Sequence, residues 1–261
     1  TGIITGLTPG LHPNTIIFSS MPFYFSFDIS FTFYASFISG LSVSHTFHDF
    51  IPSIFLGVPE PDSALAALPG QKMALKGIGA EGFVYTIYGG LYAIFTALPF
   101  ALIFYFILDP VYSFFNSFMH IFLLFVLLVI TLNSDNEFSS VIAASLAGLL
   151  GLLAFEAPVN QQYVLIPVFG GMFAVPAIWN AVKNDRPIPD QGSIEPKDTD
   201  YRLGGILGFF ASIPVAIFPG TSNSVATTFL WPILDSNKRF LSAVGGANTS
   251  DIFLSFVTLI L

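Results

Sequence analysis

Long stretches of this chain contain no Asp, Glu, Lys or Arg, among them residues 82–108, 110–134, 138–155, 157–182 and 203–234. Most reach the ~20 residues that a helix needs to cross a hydrocarbon core. Over the whole chain only 9% of residues are charged, against about 25% in a soluble domain. That is too little charge to cover a water-facing surface, so lipid must be the solvent. The apolar runs are too continuous for the alternating strands of an outer-membrane barrel. A helix, by contrast, satisfies its own backbone hydrogen bonds in lipid. The expectation is an all-α polytopic protein, multi-pass in the plasma membrane, with the bilayer as its first partner.

Membrane segments are expected over 3–18, 29–43, a short broken one over 45–57, then 83–108, 111–132, 139–155, 161–182 and 203–233, with another starting at 250. Segment 203–233 contains Pro214, Pro219 and Gly220. Proline removes a backbone donor and crowds the preceding turn, so two half-helices around a break are expected there. Two polar loops stand out, 60–81 with Lys72 and Lys76, and 183–202 with Lys183, Arg186, Lys197 and Arg202. An even number of spans separates them, so they fall on one side, which the positive-inside rule makes cytoplasmic. The second loop reads as a flexible connection between halves. Both chain ends break off inside patterned sequence, so a longer protein is expected.

The two halves repeat a theme. Near the start, Pro9-Gly10-Leu11-His12-Pro13-Asn14-Thr15 interrupts an apolar segment, and Asp49 follows among hydroxyl groups. Near the end, Pro219-Gly220-Thr221-Ser222-Asn223-Ser224 does the same, and Asp251 follows. Paired breaks at corresponding places point to a transporter's binding site. The division expected is 1–108 as the first repeat half, 109–182 as connecting helices, 183–202 as a cytoplasmic loop, and 203–261 as the second half, cut short. If 45–57 crosses the membrane, the halves are inverted, which is the commoner plan. If it is re-entrant, they are parallel.

Free N–H groups at a helix start favour an anion. The substrate, a small organic anion, is therefore expected at Pro9, Gly10, His12, Asn14, Thr15, Gly220, Thr221, Ser222, Asn223 and Ser224. An Asp in mid-membrane costs ~2.5–3.5 kcal/mol on insertion scales, so two in matching places suggest a coupling cation. That role is assigned to Asp49, Ser53, Asn248, Thr249, Asp251 and Ser255, helped by Ser44. The plainer reading makes each Asp the cap of a helix starting just after it. Sodium or a proton is the expected coupling ion, with no other cofactor and no resident metal.

Other classes fit less well. His45, His48 and Asp49 form His-x-x-His-Asp, and residues at i and i+3 share a helix face. An intramembrane enzyme acting on a lipid-linked substrate is the alternative they suggest. The motif is not repeated in the second half, which has no His. There are no cysteines for disulfides or thiolate sites. Eight Lys and Arg residues cannot form a nucleic-acid-binding patch.

Several stretches resemble the TctA family, the large membrane subunit of tripartite tricarboxylate transporters, and its archaeal branch in particular. Gly6-Leu7-Thr8-Pro9-Gly10 through Thr15 is similar to the family's first Pro-Gly motif. Asp49-Phe50-Ile51-Pro52-Ser53 through Pro59 resembles its Phe-Ile-Pro segment. Pro167-Val168-Phe169-Gly170-Gly171 through Pro176 resembles its central Gly-Leu-Phe motif. Pro219-Gly220-Thr221-Ser222-Asn223-Ser224 looks like its second Pro-Gly motif, without the extra glycine, and Gly245-Gly246-Ala247-Asn248-Thr249 sits where the family has Gly-x-x-Ala-Asn-Asn. The resemblance implies a secondary carrier for small carboxylates driven by sodium or protons. It also implies, as partners, a small membrane subunit and an extracytoplasmic binding protein. A homo-oligomer is a further possibility for assembly.

Overall fold

A helix in lipid gains little from burying apolar side chains, because the lipid tails are equally apolar, so bundles form where small residues let backbones approach. The computed structural model places such residues at the centre of the fold. It describes residues 1–9, 11–58, 64–132, 134, 136–158, 164, 167–168, 171–172, 175–176, 179, 183, 188–217 and 222–258. Regular structure among them is helical: α1 (Gly2–Leu7), α2 (Pro13–Ser26), α3 (Phe31–His48), a π turn (Pro52–Leu56), α4 (Ala64–Ala74), α5 (Gly79–Asn116), α6 (Met119–Leu132), α7 (Glu137–Phe155), α8 (Asp198–Ile217), α9 (Asn223–Thr228), α10 (Trp231–Leu234) and α11 (Asn237–Thr258). Gly79–Ile107, Glu137–Phe155, Asp198–Ile217 and Asn237–Val257 are long and apolar enough to cross a membrane. None of the residues of α7 is buried by protein. A helix that apolar and so little covered is suited to the apolar interior of a membrane.

The starts of α5, α8 and α11 meet at one charged end. Lys238 Nζ donates to Glu81 Oε1 at 2.7 Å, and Arg239 Nε to Asp200 Oδ1 at 2.8 Å. The Lys197 N–H donates to the Tyr85 hydroxyl at 2.8 Å. From there the three helices run parallel along a seam of small residues. A Cβ added at Gly204 would stand 2.6 Å from Ser242 Cβ, and one at Gly205 would stand 2.6 Å from Gly89 O. Beyond the glycines the Phe100 and Phe104 rings close on Phe209 at 5.4 and 5.9 Å.

Each end of the chain adds a hairpin beside a long helix. α1 runs parallel to α3, with Gly2 against Leu41 and Gly6 against His45. α2 returns antiparallel to α3, with the Tyr34 hydroxyl donating to Ile17 O at 2.9 Å and His12 near His45. α8 runs parallel to α11. α9 and α10 return antiparallel to it, with Asn223 at Asp251 and the Trp231 ring 5.2 Å from that of Phe240. α3 itself lies against α11, with Phe50 and Ile54 in one cluster with Leu241 and Val244.

Several expected boundaries are corrected. The separate segments 29–43 and 45–57 are one rod, α3 continued through the π turn. Asp49 has helical backbone angles, φ −64 and ψ −22, and its N–H donates to His45 O, so it does not start a helix. Pro52 cannot donate, and the helix absorbs the loss as a π turn closed by Gly57 at φ 66. The last segment begins at Asn237 rather than 250, so Asp251 lies inside α11 and caps nothing. Its first half looked unlike a span because the ion-paired Lys238 and Arg239 and the small packing residues lower its apolarity. α5 continues through Asp109-Pro110 to Asn116, where a boundary was expected. The polar loop 60–81 contains α4, whose Ala67, Gly70, Met73 and Ala74 are buried at helical spacing; Gly70 rests on Ile54.

Segment 183–202 is more than a loose linker. α8 starts at Asp198, and acids in its first turn suit its positive end. Gln191 Oε1 accepts from Gly79 N and Ala80 N, capping α5. The break within 203–233 is present: α8 ends at Ile217 and α9 begins at Asn223. The expected segment 161–182 lies largely outside the described residues.

Gly205→Leu forces a side chain between α8 and α5, while a Cβ at Gly148 on α7 meets nothing within 4 Å. Overpacking costs ~1–3 kcal/mol. The expected outcome is an apparent melting temperature, measured in detergent, that falls by roughly 5–10 °C for Gly205→Leu and stays put for Gly148→Leu.

Candidate functional site

Two polar stripes meet in the interior. On α3 and the residue that follows it, Ser42, His45, Thr46 and Asp49 recur at i, i+3, i+4 and i+7, one face of a helix. On α11, Asn248, Asp251, Ile252 and Ser255 do the same. Together with His12, Pro13, Asn14 and Ile17 at the start of α2, they line a cavity of about 230 Å³. At 1.5 Å per residue, Asn248 stands about 17 Å and Asp251 about 21 Å from the charged end of α11, near the middle of a core about 30 Å thick. Mid-membrane is where a polar cluster is hardest to keep without a use for it.

The geometry joins the two ends of the chain. Asn248 Nδ2 donates to Asp49 Oδ2 at 3.1 Å in a buried contact. One turn along α11, Asp251 Oδ2 accepts from Asn223 Nδ2 at 3.4 Å. At the mouth of α2, His12 Nδ1 accepts from the Asn14 N–H at 3.2 Å and caps the helix. The His12 and His45 rings lie 6.0 Å apart. Thr5 donates its hydroxyl hydrogen to Gly2 O, so the 3.0 Å contact between His45 Nδ1 and Thr5 Oγ1 has the imidazole donating.

The cavity lining includes His12, Asn14, Asp49, Asn248, Asp251 and Ser255 of the expected site residues. Others lie off it. Ser53 is fully buried in the π turn. Thr249 donates to Gly245 O and faces Gly90 of α5, and Ser44 faces Gly2 of α1. Ser222 caps α9 by accepting from Val225 N at 3.3 Å. Asn223 and Ser224 are fully buried. Pro9 is partly buried beside the break and does not line the cavity. Gly10, Gly220 and Thr221 lie outside the described residues, as does the side chain of Thr15. Sequence reasoning missed Ser42 and Thr46. The signal that could have found them was the shared i, i+3, i+4, i+7 spacing in both stripes.

His48 Nδ1 donates to Ser44 O of its own helix at 2.7 Å, and His45 reaches α1. Among the described residues no three His, Asp or Glu side chains are placed to hold a metal ion. The enzyme alternative is not favoured.

Over residues 1–261 the sequence matches the family described as the tripartite tricarboxylate transporter TctA family. The chain belongs to the TctA family. This TctA chain is also 33% identical, over 272 residues, to the uncharacterized protein MJ1079 of Methanocaldococcus jannaschii; the match covers 99% of the chain and 66% of that relative. The chain thus spans just under two thirds of the relative's length. No solved structure matches it. Family and helices together make it a multi-pass membrane protein.

The TctA chain has no cysteine of its own, which allows a direct test of the cavity. Asn14→Cys and Ser42→Cys should react with a small water-soluble thiol reagent, whereas Ser53→Cys and Thr249→Cys, at buried positions, should stay unlabelled until the protein is denatured. Mass spectrometry of the labelled protein reads the result.

Proposed function

We propose that this TctA protein is the permease of a secondary active transporter that carries a small organic anion, a carboxylate, across the plasma membrane on a sodium or proton gradient. The observation that carries the reading is the meeting of the two polar stripes, one from each end of the chain, on a mid-membrane cavity beside interrupted helices. Interrupted helices at that depth offer backbone groups that water or a solute must satisfy.

The start of α2 supplies the anion's side of the site. It is a 14-residue helix whose positive end opens on the cavity beside His12 and Asn14. Asp49 with Asn248, and Asp251 beside them, supply the cation's side. The α1–α2 hairpin with α3 and the α8–α9 hairpin with α11 are built to one plan, a parallel arm and an antiparallel arm beside a long helix. The contacts that set α3 antiparallel to α11 support an inverted relation between the halves. Alternating access then follows from rocking one half against the other around the cavity. In the family's tripartite arrangement a small membrane subunit and an extracytoplasmic binding protein accompany the large subunit, and we extend that expectation to this chain. Its charged end, with Lys76, Arg202, Lys238 and Arg239, is assigned to the cytoplasm by the positive-inside rule.

Asp49→Asn keeps the shape of the side chain and removes its charge. Gradient-driven uptake of carboxylates into vesicles is expected to fall to background while membrane expression is unchanged. Full uptake by that variant would refute the assignment. Binding of a panel of mono-, di- and tricarboxylates to the purified protein, with and without sodium, identifies the substrate class.

A further inference from the structure

We infer that Asn223 and Asp251 form a latch that senses the load on the acid: α9 is docked on α11 while Asp251 carries a proton or a sodium ion, and is released when the carboxylate is bare. The inference rests on the transport reading, in which Asp251 takes the coupling ion, and it adds how that ion moves a helix.

Asn223 is fully buried, and its Oδ1, which is closed to water, has no hydrogen-bond partner among the described residues. Its Nδ2 donates to Asp251 Oδ2 at 3.4 Å. A buried carbonyl oxygen left unpaired is costly, because it has given up water and received nothing. Turning the amide end for end does not help, since its NH2 is then orphaned instead. The pair as placed is therefore short of one positive partner. A hydrogen on Asp251 supplies it, because the acid then accepts from Nδ2 and donates to Oδ1. A cation held by Asp251 supplies it as well, because carbonyl and carboxylate oxygens both suit hard cations. Either way the event is the same, neutralisation of Asp251.

A bare carboxylate does the opposite. It sets a full negative charge beside the negative end of the amide carbonyl, with no hydrogen between them, in a dry contact at mid-membrane. α9 is the shorter partner, 6 residues against 22, and it follows the break after Ile217. Thr227 and Thr228 spend their hydroxyls on carbonyls of α9 itself, and Ser222 caps its own helix. Among the described residues the side-chain hydrogen bond that joins α9 to α11 is thus that of Asn223. Undocking α9 lets water reach both oxygens.

Other titratable groups face Asp251 across the cavity, His12 at the start of α2 and His45 and Asp49 on α3 and just after it. α9 has none. Those of α8 lie at the charged end, and Glu81 of α5 is paired with Lys238 there.

The test follows the cover over α9. Thr227 is fully buried, one turn from Asn223 on the same face. The chain has no cysteine, so Thr227→Cys in the full chain in detergent offers a single thiol. Its alkylation by a water-soluble maleimide is timed at acid and alkaline pH, with and without sodium. Dividing each rate by that of the exposed Ser193→Cys removes the pH dependence of the thiol itself. The normalised rate should fall about 10-fold or more when Asp251 is loaded. Acid alone lowers it if the load is a proton, and sodium at alkaline pH lowers it if the load is a cation. Asp251→Asn should keep the rate low in every condition, because a second amide offers both the N–H and the oxygen that the pair needs. That is a gain of protection, which misfolding does not produce. Asn223→Leu, whose side chain asks for no partner, should remove the response. A rate indifferent to both pH and sodium overturns the proposal. So does a response that persists in Asp251→Asn, since the load then sits on Asp49, His12 or His45. Carboxylate uptake with an indifferent rate overturns the latch alone and leaves the transport reading standing. A latch response without any carboxylate uptake does the reverse.

Discussion

The buried hydrogen bond from Asn248 to Asp49 ties together residues 199 positions apart, and the site depends on it. A carboxylate in mid-membrane is tolerated only when something there compensates its charge or accepts its hydrogen-bonding capacity. Asn248 supplies a donor from the other end of the chain. The contact holds α3 against α11 at the depth where the cavity lies, and it brings Asp49 within one helical turn of Asp251.

That hydrogen bond is possible because α5, α8 and α11 approach one another closely. Their seam is made of glycine, alanine and serine, with Gly89, Gly205 and Gly246 stacked against neighbouring backbone. In lipid the hydrophobic effect does not hold helices together, so close packing must do it. Ion pairs at the charged end fix the register, with Lys238 on Glu81 and Arg239 on Asp200. The rigid seam then carries α11 as a fixed wall of the cavity. The short helices α1 and α9, of 6 residues each, pack beside α3 and α11.

Much of this was legible in the residues. Charge-free runs in 82–108, 138–155 and 203–234 made a helical membrane protein unavoidable, since such runs cannot be solvated by water and only helices close their own hydrogen bonds in lipid. Asp49, Asp251, Asn248, His12, Asn14 and Ser255 stood out for the same reason, being polar groups in apolar surroundings. Boundaries fared worse. Asp49 and Asp251 looked like helix starts because Asp favours caps, yet both sit in continuous helical backbone. α4 was hidden because its buried face, Met73 apart, is made of Ala and Gly, which carry little hydrophobic signal.

The sequence by itself determined the solvent, the helical class and the residue types able to form a polar site, because these follow from the transfer energies of side chains and backbone, which are local properties. Only the tertiary structure decided which of them meet. Ser53 and Thr249 carry the same chemistry as Asn248 and Ser255, yet they point into helix contacts instead of the cavity. Facing is set by how the helices rotate when their small residues pack, and that depends on pairs of distant segments whose fit no single stretch of sequence encodes.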